Sequence, residues 1–264
     1  MASRLAFAGA VGLICLACAA GAQAPRIGGY LHGALAPDTL AILPPAPAPG
    51  SPRDLADRAI FKATRALKDT PRWSLAKSDV DFSVSAMMAD FSCAAGVSLD
   101  PKTAPILADL LRNIGPDVAA AVNTPKEAYK RKRPYLVDEG DICVETSDSL
   151  ARNFDYPSGH ATLAWAIGLL IAELVPDRAG AVLSRARAFG ESRVVCGVHN
   201  LSAVEEGRAT GAALTAALHG DPAFRADLDL ARAELAALRA EAAPRPRACD
   251  AETALTAKTP WQAP

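Results

Sequence analysis

Prolines at the edges of helix-length blocks constrain this chain most. Pro52, Pro71, Pro176 and Pro222 each stand at or beside the start of a stretch with helical apolar spacing. In the first turn of a helix the N–H that proline lacks would have no partner anyway. No stretch shows the strict alternation of a half-buried strand, and no internal repeat is found. The pattern predicts helices over about 53–68, 72–91, 103–114, 116–132, 159–174, 177–198, 202–218 and 222–242, and hence an all-α fold. Pro125 interrupts the fourth block. Thr124-Pro125-Lys126-Glu127 has the form of a capping box with proline at its first helical position, so a fresh start is expected there, with Lys126 at a helix N-terminus.

Residues 1–24 read as a signal peptide, with Arg4, an apolar run from Leu5 to Ala20, and Ala22-Gln23-Ala24 as the cleavage site. A lipoprotein reading through Cys18 is weaker, because Cys15 stands where an aliphatic residue is wanted. Residues 25–52 form an extended, proline-rich N-terminal segment, and 53–243 a compact single helical domain. Residues 244–264 read as a disordered tail unless Cys249 tethers them. With the leader removed, Cys93, Cys143, Cys196 and Cys249 remain. An oxidising compartment would permit two disulfides in any of three pairings, or Cys196 could stay a buried thiol, and the connectivity is left open. Beyond the leader, the best apolar run, Ala161 to Ala172, falls short of the roughly 20 residues of a membrane span. A net charge of −1 and 5% aromatic residues leave no footprint for nucleic acid. The basic run Lys126 to Arg133 would alone be a solvated face.

Three separated segments carry groups suited to a phosphate: Lys126 with Arg133-Pro134, Pro157-Ser158-Gly159-His160, and Ser192-Arg193 with His199. A phosphoryl group in transit spreads negative charge over its oxygens, so several fixed cations must converge on it. Lys126, Arg133 and Arg193 can supply them. Imidazole serves as nucleophile or as acid near neutral pH, which makes His199 and His160 the candidates. Ser158 is a good N-cap, and Gly159 lets the backbone of the following helix approach an anion closely. Any one segment alone would be a turn, a cap or a structural histidine. The three in order carry the reading. His32 and His219 match no motif.

The arrangement K-x6-RP, PSGH and SR-x5-H resembles the signature of the type 2 phosphatidic acid phosphatase superfamily, which includes the vanadium haloperoxidases. LAILPPAPAPGS, TPRWSLAKSDVDFS, AYKRKRPYLV, YPSGHATLAWA and FGESRVVCGVH resemble its soluble class A bacterial non-specific acid phosphatases. The likeness runs from about Gly29 to about Glu241. It implies a helical bundle of the soluble acid phosphatase and haloperoxidase type, no cofactor and no metal. It further implies His199 as the residue that becomes phosphohistidine, His160 as the acid for the leaving oxygen, and Lys126, Arg133, Ser158, Gly159 and Arg193 as the phosphate cradle. Small phosphomonoesters and inorganic phosphate are the expected ligands, with neither nucleic acid nor membrane as partner, and the periplasm is the expected location. Whether the chain forms a homo-oligomer stays open.

One departure stands out. The family pattern continues H-x3-D, whereas this chain places Ala203 at that position. The aspartate would accept the second N–H of the nucleophilic histidine, so reduced turnover is expected, with Glu205 and Glu206 as nearby substitutes. Glu205 could instead close a capping box, and Glu206 could reach back only through a local bend. The alternative is a catalytically silent relative that binds phosphate or phosphoesters. A vanadate-dependent haloperoxidase is a more distant reading, since the flanks resemble the phosphatases.

Overall fold

Short polar residues followed by proline start the helices of this protein. Ser51, Thr70 and Asp221 accept the orphan N–H of the first turn while Pro52, Pro71 and Pro222 occupy its first position; Ser83, Ser147 and Ser158 cap without a proline at that place. The computed structural model describes residues 29–241 and 249–261. The helices are α1 (Thr39–Ile42), α2 (Pro52–Thr64), α3 (Pro71–Ser78), α4 (Val84–Ala95), α5 (Pro105–Asn113), α6 (Gly115–Tyr129), α7 (Asp148–Arg152), α8 (Gly159–Leu174), α9 (Ala179–Val195), α10 (Leu201–Leu218), α11 (Pro222–Ala240) and α12 (Cys249–Thr256). No strand occurs among the described residues, so the fold is all-α. The signal-peptide reading of 1–24 lies outside the described residues.

Three expectations change. Within the segment expected to be extended, residues 39–42 form the short helix α1, capped by Asp38. Residues 72–91 form two helices, because the backbone breaks at 79–83 where Asp79 turns inward to Arg185, at 2.6 Å, and Ser83 caps α4. Residues 115–129 form one helix in place of the expected restart, with Pro125 buried inside α6. Lys126 therefore lies in the last turn of α6 and not at a helix N-terminus. Pro125 forfeits one backbone bond four residues before Tyr129, where few turns remain to be disrupted, and gains burial there.

Helix α8 is the centre of the bundle. Ala161, Ala164, Ala166, Ile167, Leu170 and Ile171 are all buried, so it reads as a helix apolar on nearly every side. α9 packs on one flank and α10 on another, while α4, α5 and α11 add Met87, Phe91, Leu107, Leu111 and Phe224 to the same core. The approach of α10 depends on glycine. A Cβ at Gly207 would stand 2.6 Å from the carbonyl oxygen of Ser158, and one at Gly211 2.6 Å from that of Thr162. Backbone atoms cannot rotate away as a side chain can.

Disulfides join Cys143 to Cys196 and Cys93 to Cys249. The first ties the loop after Arg133 to the end of α9, so Cys196 is not a free thiol. The second brings α12 against α4, and Glu252 of that helix pairs with Arg185 at 2.8 Å. Within the stretch expected as a tail, 249–256 are thus helical and tethered.

Gly207→Ala should destabilise the protein by about 1–3 kcal/mol, as overpacking does, although alanine favours helix. Gly180→Ala in α9 is the control, since its Cβ would meet nothing within 4 Å. Urea midpoints should fall for the first and stay or rise for the second.

Candidate active site

The ends of four helices converge on one cavity. The last turn of α6 supplies Lys126, the chain just beyond it Arg133, the first turn of α8 Gly159 and His160, the last turn of α9 Arg193, and the link from α9 to α10 His199. All six line a cavity of about 510 Å³. The expected site residues are thus brought together, with one exception. Ser158 is completely buried at the cap of α8, where its Oγ accepts from the N–H of Ala161 at 3.4 Å and its own N–H donates to the carbonyl of Ala203 at 2.9 Å.

Two of the three cations are held by neutral oxygen acceptors. Lys126 Nζ donates to Asn153 Oδ1 at 2.8 Å and to the carbonyl of Phe154. Arg133 donates through Nε to the carbonyl of Asn153 at 2.6 Å and through Nη1 to that of Val198 at 2.7 Å. Arg193 differs: it is 3% exposed, and its Nε and Nη1 have no partner among the described residues. A buried guanidinium with two unused donors is costly unless an anion completes it. Burial pushes Lys126 down to about 7, with Arg133 adding repulsion, and pushes Arg193 down to about 10 in the same way. Arg133 is lowered as well, again first by burial.

His199 is fixed on both nitrogens. Nε2 lies 3.2 Å from Arg133 Nη1, and a guanidinium can only donate, so Nε2 accepts. The ring proton therefore sits on Nδ1, which donates to Asp155 Oδ1 at 2.9 Å. Burial, then Arg133, Lys126 and Arg193, hold His199 well below the ordinary imidazole range. The result is a neutral ring whose Nε2 lone pair points to the side of the cations.

His160 lies across the cavity. Its Nε2 is 3.1 Å from the carbonyl of Val80, which can only accept, so this nitrogen carries a proton and Nδ1 does not. Phe82 packs its edge against the ring at 4.6 Å. Both contacts come from the break between α3 and α4. Burial first and Arg193 second keep His160 well below its usual value too. Both imidazoles are therefore held toward their neutral forms.

Sequence reasoning missed Asp155, Asn153, Val80 and Phe82. The carboxylate expected near His199 is neither Glu205 nor Glu206: both pair with Arg53, at 3.1 and 2.7 Å. Asp155 could have been suspected from its place three residues before Ser158, as an acid beside a buried motif. Away from these three cations the wall is largely apolar, with Phe82, Val84, Met87, Leu111, Val122, Leu163 and Ile167, and Ser83, Arg112 and Asn123 also line the cavity.

Comparison with known proteins shows the family. The PAP2 superfamily pattern matches residues 110–225, which hold every site residue above except Val80, Phe82 and the apolar contacts from α4. An acid phosphatase of Zymomonas mobilis is 40% identical over 206 residues, 78% of each chain. Non-specific acid phosphatases of Providencia stuartii and Salmonella typhimurium are both 36% identical, over 80% and 73% of this chain and 86% and 78% of theirs. Identity at this level along most of these chains, together with the PAP2 match, places the protein among the acid phosphatases of the PAP2 superfamily.

Proposed function

We propose that the protein is an exported, metal-independent phosphatase that hydrolyses small phosphomonoesters through a phosphohistidine at His199. The observation that carries this reading is Arg193, a buried guanidinium whose Nε and Nη1 have no partner among the described residues, lining the same cavity as His199, whose unprotonated Nε2 is held by Arg133. Export is supported by the leader-like residues 1–24 and by two disulfides, which persist in oxidising compartments. No helix among the described residues is long and apolar enough to cross a membrane.

Lys126, Arg133 and Arg193 bind the phosphate oxygens, joined by backbone N–H groups at the start of α8. His199 Nε2 then attacks phosphorus as the P–O bond to the alcohol breaks, and His160 gives a proton to the departing oxygen. Water next attacks the phosphohistidine, losing its proton to His160, and phosphate leaves. The apolar wall suits an aryl or alkyl leaving group, because hydroxyls set against it would lose hydrogen bonds to water.

Both rings are neutral in the free enzyme, so the proton for the first leaving group has to arrive with the substrate. A phosphomonoester monoanion carries one, with a second pKa of about 6. Once bound, its charge offsets the cations that depress His160, and the proton can pass to Nδ1. Activity is then greatest on the acid side, and full turnover at Ala203 follows if another carboxylate orients His199. A silent phosphate binder is the second reading.

The deciding assay uses purified protein, an aryl phosphate and excess chelator, beside His199→Ala. We expect undiminished turnover with chelator and a loss of at least about 10³-fold in the variant, the scale on which removing a covalent nucleophile acts. Loss on chelation that a divalent ion restores would overturn the metal-independent mechanism, and wild-type inactivity with tight vanadate binding would favour the silent reading.

The proton source is tested by pH profiles on aryl phosphates of different second pKa. The alkaline limb of kcat/KM should move with the pKa of the substrate. A limb at one fixed pH for all substrates would assign it to an enzyme group, with Lys126 at about 7 the first candidate.

A further inference from the structure

We infer that Asp155, three residues before the capping Ser158, is the positioning residue for His199, and that it takes the part for which Ala203 has no side chain. This rests on the proposed role of His199 as nucleophile. It goes beyond that role by drawing the orienting carboxylate from a different segment of the chain, on the opposite side of the motif from the usual place.

Asp155 is completely buried, and every group around it donates. Oδ1 accepts from His199 Nδ1 at 2.9 Å and from the N–H of Asn200 at 3.1 Å. Oδ2 accepts from Asn200 Nδ2 at 2.8 Å and faces Arg131 Nη1 at 3.5 Å. A protonated carboxyl would have to donate to one of these groups, and none can accept. Burial pushes its pKa up, while Arg131 and the Asn200 donors oppose that shift. The ionised form is the one this nest fits.

Arg131 is held in turn by Asp54 at 3.1 Å, Asp57 at 2.9 Å and Ser202 at 2.7 Å, and Asp57 accepts the N–H of Ser202. The carboxylate therefore cannot swing away from the ring. Its bond to Nδ1–H leaves the Nε2 lone pair toward the cavity, and its charge stabilises the cation formed when Nε2 becomes bonded to phosphorus. That second effect is greater in the transition state than in the ground state, so it belongs to kcat.

A purely structural role would instead anchor the start of α10 through Asn200, and the two roles separate by experiment. Asp155→Asn keeps size and one acceptor but loses the charge. We expect kcat on an aryl phosphate to fall by about 10²–10³-fold, below the ~10⁴ seen when a protease triad aspartate becomes asparagine, while the Kd for orthovanadate changes by less than about threefold. A fall of less than tenfold, or a parallel loss of vanadate binding, would overturn the inference. If that variant does not fold, imidazole ¹⁵N spectra of the wild-type protein decide. A ring protonated on Nδ1 at the working pH supports it, and one protonated on Nε2 overturns it. Full activity of His199→Ala would sink the nucleophile reading itself, a result distinguishable from an active Asp155→Asn beside an inactive His199→Ala.

Discussion

Mutual repulsion among cations shut away from water is the condition to which the rest of this fold responds. Lys126, Arg133 and Arg193 are each buried on one cavity, and each is depressed first by desolvation and next, for Lys126 and Arg193, by Arg133. Left alone, such a cluster would draw in solvent or lose protons. Carbonyl oxygens of Asn153, Phe154 and Val198 offset part of the cost without adding negative charge to the cavity. What remains is a standing demand for an anion, and the same field keeps both histidines neutral until one arrives.

The compensating carboxylates sit one layer back. Behind Arg193, Ser192 donates to Asp79, which pairs with Arg185, while Arg72 donates to Ser192 at 2.9 Å. Behind His199, Asp155 pairs with Arg131 and so with α2. A carboxylate in the cavity itself would compete with phosphate; set behind the cations, it steadies them and leaves their donors free. α12 extends the first of these rows, since Glu252 reaches Arg185 and the Cys93–Cys249 bond holds the helix in place. Buried pairs of this kind are costly to assemble but more costly to break singly.

Much of this was legible in the sequence because local chemistry and tertiary packing agree there. Ser158 and the apolar run after it mark α8 at its observed bounds, and Pro222 marks the start of α11. The motif cations and histidines meet on one cavity, as the chemistry of the three segments leads one to expect. Tertiary demands hid the rest. Asp79 leaves the helical path because Arg185 holds it, which no local pattern records, and that break brings Val80 and Phe82 to His160. Pro125 reads as a helix start because its capping box is well formed in sequence, yet α6 passes through it. Asp155 is an ordinary loop acid until the fold carries it to His199, 44 residues away. The disulfide pairings likewise depend on which helices become neighbours.

The stretch from Asn153 to His160 has a consequence for how the site moves. Its first residue grips Lys126 and Arg133, its second grips Lys126, its third grips His199, and its end carries the cap of α8 and the second histidine. One short span of backbone thus serves as a common mount for groups drawn from three other parts of the chain. When it shifts, Lys126, Arg133 and both histidines travel with it, so motion of this span moves these four groups largely together.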